Sequence, residues 1–242
     1  MVSKPSEQPL PLAAASGRSF SAARQLRALL EAELKSQWRG RETPATVVVF
    51  ALLVVLIFSF AFDLHPNPPA DVVSGVVWSA IIFGGILAFQ RSFGSGADHS
   101  QMDGILVSPV SRSVLLVAKM VANAALMIMM ECIVVPVAAL LFNVPLWRPS
   151  IVASVLVGTA GFSVLGTLFA AISVEARARE LLLPLLLLPI SVPLIIASVE
   201  QMSQSLAPSP PVTSEPWFQL ALGYSVMFFF VSVAVADQIF DA

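Results

Sequence analysis

Few side chains in this sequence stand where they could do chemistry, and Glu131 is the most conspicuous. It lies in MIMMECIVVPVAAL, an otherwise apolar run. A charge held inside a bilayer costs about 3 kcal/mol on insertion scales, so such a carboxyl faces other helices or stays protonated. A structural hydrogen-bonding role and a transport role are both open at this position. Cys132 is the single cysteine, which excludes a disulfide framework and a zinc cluster within the chain. No GxxxxGK[ST] phosphate-cradling loop, HExxH motif or nucleophile–base pair occurs. The chain is therefore read as a non-enzyme. If ATP powers it, a separate subunit hydrolyses the nucleotide.

The elements that must position Glu131 are membrane spans. Of 242 residues, 57% are hydrophobic and 12% charged, with a mean hydropathy of +0.86. A soluble domain carries about 25% charged residues. Several apolar runs approach the roughly 20 residues needed to cross a bilayer. The pattern predicts an all-α polytopic membrane protein with six transmembrane helices, at 44–62, 72–90, 113–142, 150–173, 181–199 and 217–236. Residues 1–17 read as a disordered cytoplasmic tail and 18–242 as one permease domain. The net charge of -2 gives no field for nucleic acid, and the partner that composition demands is the lipid bilayer.

Orientation follows from the basic residues. Seven precede the first span: Lys4, Arg18, Arg24, Arg27, Lys35, Arg39 and Arg41. Arg91, Arg112 and Lys119 flank or follow the second connection, and Arg177 and Arg179 occupy the fourth. Only Arg148 falls on the other side. Both termini are thus expected in the cytoplasm. Trp78, Trp147 and Trp217 lie near span ends and are read as interfacial anchors.

Around the spans, four features suggest a mechanism. Ala23, Leu26, Leu30, Leu34 and Trp38 fall on one helical face flanked by basic residues, which predicts an amphipathic interfacial helix. A membrane-surface anchor is the simpler reading. The sharper one is a connecting helix packed on the spans and on a cytoplasmic partner. The polar connection RSFGSGADHSQMDGILVSPVSR contains a short helical patch, 100–107, ended by Ser108-Pro109. A short amphipathic helix there suits docking into a groove of another protein. In span 5, Pro184, Pro189 and Pro193 each remove a backbone donor and crowd the preceding turn, so they predict kinks. The freed carbonyls need partners, so this stretch is expected to face protein or a wet cavity. Span 4 carries Ser154, Gly158, Thr159, Gly161, Ser163, Gly166, Thr167 and Ala170. Small residues three or four apart allow close helix approach.

The run DGILVSPVSRSVLLVAK, 103–119, resembles a block of ABC-type export permeases. Together with LLLPLLLLPISVPLIIAS, 181–198, it is most similar to the CcmB family, the permease subunit of the ABC-type heme exporter of cytochrome c maturation. The resemblance implies that Asp98, Gln101, Asp103, Leu106, Pro109 and Arg112 form a cytoplasmic coupling helix and its flanks against an ATPase. It implies the partners CcmA (the ATPase), CcmC, the small CcmD and the heme chaperone CcmE, in the bacterial inner membrane. Heme is then pathway cargo, with no cofactor bound directly by this chain, and ATP is held by the partner subunit. A lone histidine can ligate heme iron, but nothing beside His65 or His99 suggests a heme pocket. Two rivals remain open: an export permease for a lipid, drug or polysaccharide, and a non-transporting assembly scaffold. A secondary transporter is disfavoured, because no inverted repeat is evident.

Overall fold

A computed structural model describes residues 22–39, 42–62, 68–92, 112–174, 178–206 and 216–239. All secondary structure among them is helical: α1 (Ala22–Arg39), α2 (Glu42–Ala61), α3 (Ala70–Ser92), α4 (Arg112–Phe142), α5 (Pro149–Ile172), α6 (Arg179–Ser205) and α7 (Pro216–Ile239). Helices α2 to α7 contain the six stretches long and apolar enough to cross a membrane. The six predicted spans coincide with them, and the chain is a multi-pass membrane protein.

Helix ends follow local chemistry. α4 stops at Phe142 because Asn143 adopts a left-handed conformation, φ 53°. Asparagine tolerates that region better than most residues. The Val144 N–H then bonds the Ala139 carbonyl at 3.2 Å. α5 begins with Pro149, whose fixed φ suits the first helical position.

Burial separates a centre from a rim. The apolar windows of α3 and α5 are 72% and 78% buried, against 17% for α2 and α7. α3 packs on α2, α4, α5 and α6, and α5 packs on α3, α4, α6 and α7. Glycines make this possible. A Cβ at Gly166 would lie 2.0 Å from the Phe89 ring, and one at Gly158 would lie 2.2 Å from Trp78. The small residues of span 4 therefore serve packing within the chain. Gly75 of α3, by contrast, has open space beside it.

Trp147 is 73% exposed, as an interfacial anchor must be, whereas Trp78 is 2% exposed and is not one. Trp78 is a core residue seated over Gly158. Its place near a predicted span end gave no sign of this, because the notch that receives it lies eighty residues away.

α6 extends to Ser205, six residues beyond the predicted end, and carries Pro184, Pro189 and Pro193 inside it. Pro184 removes the donor that the Glu180 carbonyl would have had, and Gln90 Nε2 of α3 donates there instead at 3.0 Å. Pro184 is half-buried, while Pro189 and Pro193 lie exposed on the outer face.

Candidate functional site

The polar chemistry inside the bundle is gathered on α4. Lys119, Asn123 and Glu131 fall at four-residue multiples, with Met127 between them. Such spacing winds slowly around a helix and puts them on neighbouring faces. From Lys119 to Glu131 the rise is about 18 Å. Two separate polar groups result.

The first group joins three helices. Lys119 Nζ meets Glu33 Oε1 of α1 at 2.9 Å, with side-chain exposures of 4% and 10%. Lys119 also donates to the Ser92 carbonyl at the end of α3, at 3.4 Å. One turn along each helix, Gln37 Nε2 donates to Asn123 Oδ1 at 3.1 Å. Asn123 Nδ2 in turn donates to Thr167 Oγ1 of α5 at 2.9 Å. α1 is thus fastened to the third span and, through it, to the fourth. The surface-anchor reading of this helix gives way to packing on the bundle. Glu33 and Gln37 fall beside Leu30 and Leu34, so a purely apolar face could not have been made there. That interruption was the signal in the sequence.

The second group is Glu131 and Thr159. The Thr159 hydroxyl of α5 donates to Glu131 Oε1, and Glu131 is 5% exposed. Eleven residues separate Glu131 from Phe142, a rise of about 16 Å. That is near the middle of a hydrocarbon core about 30 Å thick. The carboxyl also borders a cavity of about 520 Å³ between α4 and α5. Ile128, Val135 and Leu140 of α4 form one wall, and Val155 of α5 and Trp147 line the other side.

Of the predicted coupling residues, Asp98, Gln101, Asp103, Leu106 and Pro109 lie outside the described residues, as do His65 and His99. Arg112 is described: it opens α4 and is half-buried. The structure brings Glu131 into a site and leaves Pro184, Pro189 and Pro193 apart from it, on another helix. Glu33, Gln37, Lys119 and Asn123 were not anticipated as partners. Lys119 in particular counted only toward the positive charge of a connection and as the end of the run 103–119. Among the described residues no group of three or more His, Cys, Asp or Glu is placed to hold a metal.

The chain is 29% identical over 179 residues to heme exporter protein B of Rhodobacter capsulatus, covering 72% of this chain and 81% of that one. It is 27% identical over 190 residues to heme exporter protein B of Paracoccus denitrificans, covering 78% and 87%. The protein of the same name from Pseudomonas aeruginosa is 28% identical over 183 residues, covering 75% and 82%. The family described as CcmB protein matches residues 24–238, from α1 nearly to the end of α7, and the chain belongs to the CcmB family.

Proposed function

We propose that this chain is the permease subunit of an ABC-type complex for cytochrome c biogenesis in the bacterial inner membrane. Its role is to couple ATP hydrolysis by a partner ATPase, CcmA, to heme delivery or to release of the heme-loaded chaperone CcmE at the periplasmic face. CcmC and CcmD complete the assembly. The observation that carries this reading is the family relationship across residues 24–238.

The packing around Lys119 gives the coupling a physical route. The connection between α3 and α4 leaves from Ser92 and returns at Arg112. Lys119 holds the Ser92 carbonyl and Glu33 together. A push on that connection would therefore act on α1, α3 and α4 as one body, and Asn123–Thr167 would pass it to α5. In this reading the α1 end is cytoplasmic, in keeping with twelve of the thirteen basic residues on that side.

A non-transporting assembly scaffold is the second reading. The close-packed α3–α5 seam and the bond from Thr159 to Glu131 favour it. A heme stain of membrane proteins from a strain lacking the gene tests the main proposal. Loss of covalent heme from c-type cytochromes, restored by the gene, supports it. Unchanged staining in a host with no second maturation system points to another cargo. A variant that assembles fully and restores heme without any ATPase activity would support the scaffold.

A further inference from the structure

We infer that the α4–α5 groove is the docking site for a membrane-spanning helix of a different subunit, which places a hydrogen-bond donor against Glu131. Such docking requires only that the chain spans a membrane, and is independent of the heme reading.

Glu131 Oε1 receives the Thr159 hydroxyl, and among the described residues no other group donates to this carboxyl. The carboxyl borders the groove. The groove is walled by apolar side chains, among them Leu140, which is 81% exposed. In a bilayer, whatever fills it comes from the hydrocarbon side. A carboxyl oxygen left against acyl chains has no partner, which is strongly disfavoured. Lipid headgroups carry donors, but they lie at the interface, about 15 Å from the bilayer middle.

A second groove supplies the contrast. Between α5 and α7 lies a cavity of about 510 Å³ lined by Leu156, Val164, Val226 and Phe230, with Ser225 as its polar member. The Ser225 hydroxyl donates to its own helix, at the Ala221 carbonyl, 2.7 Å away. Acyl chains can fill that groove and leave nothing unpaired. They cannot do so at Glu131.

The occupant must therefore carry a hydroxyl, amide or basic side chain at mid-membrane depth. A spanning helix does this readily, since such groups hydrogen-bond across helices in bilayers. A second copy of this chain has little to offer. Its exposed mid-span side chains, such as Leu53, Phe83, Leu185 and Val226, are apolar. Its hydroxyls at Ser163, Ser191 and Ser225 are buried and bonded to carbonyls. The groove runs from Trp147 down to Glu131 and offers a track for a helix to lie in.

The test is photocrosslinking in intact host membranes, with the complex as it occurs there. A benzophenone amino acid replaces Leu140 in the groove, and in a separate control it replaces Phe60, exposed on α2. The Leu140 position is expected to give an adduct with one membrane-spanning protein other than this chain. Glu131→Leu should lower that yield roughly three- to tenfold, the range expected for one interhelical hydrogen bond. Glu131→Gln, which keeps an acceptor, should hold it within about twofold. Val152→Trp narrows the groove from its α5 wall without replacing the carboxyl, and should also lower the yield. That variant decides the matter if Glu131→Leu fails to accumulate. Adducts with lipid alone, an adduct of two copies of this chain, or a yield indifferent to both Glu131→Leu and Val152→Trp would overturn the inference.

Discussion

Glu33 and Glu131 both carry buried carboxyl groups packed against a neighbouring helix, yet the chain treats them in different ways. Glu33 meets a cation, Lys119, at 2.9 Å, and the pair sits beside a second polar bridge running from Gln37 through Asn123 to Thr167. Glu131 lies about 18 Å farther along α4 and meets one hydroxyl. At the first site the two charges answer each other and three helices are held together, while Gln37 Oε1 and Ser92 Oγ are buried there without a partner among the described residues. The second is half-answered and opens on a cavity. The contrast is between an ion pair shut inside the bundle at the α1 end and a carboxyl in the middle of α4 that borders an open groove.

The sharpest way to break this comparison is to remove one charge of the fastening. Lys119→Met should destabilise the folded chain by about 3–5 kcal/mol, the usual result of leaving one ion of a buried pair alone. Unfolding of the purified protein in a mixed detergent titration would measure this. Adding Glu33→Leu to that variant should recover most of the loss, to within about 1 kcal/mol of the parent, because no buried charge then remains unanswered. If the double variant is as unstable as the single one, the pair is not what holds α1 in place.

Asn123→Leu is the intermediate case. It cuts the bridge between α1 and α5 and should cost about 1 kcal/mol in the same titration, the scale of an interhelical hydrogen bond or two. Glu131→Gln should have the smallest effect on stability, under about 0.5 kcal/mol, because the amide still accepts from Thr159 and fills the same space. Its effect should appear in function instead. Normal covalent heme attachment in this variant would show that an ionisable group at 131 is unnecessary.

Much of the architecture was legible from residue type alone. Six apolar runs gave six membrane-spanning helices, with the third long, because a bilayer admits little other than helices from such segments. Glu131 stood out for the same reason: a carboxyl surrounded by methionine, isoleucine and valine has to be answered somewhere. The prolines of α6 were harder to read. They pointed to freed carbonyls, and the structure supplies the answer for one of them in Gln90, a residue on a different span. Their spacing could not name that partner.

What the sequence determined by itself is the set of helices, their membrane character and the family, since each depends on local composition or on residues in order along the chain. Tertiary structure alone decided which helices are central, that Trp78 is core, that α1 is bolted to α4, and that Glu131 faces both Thr159 and a groove. Lys119 and Glu33 stand 86 positions apart, and Thr159 stands 28 from Glu131. Separations of that size carry no periodic signal. They are set by how two helix surfaces fit, as where Gly158 and Gly166 of α5 let Trp78 and Phe89 of α3 approach.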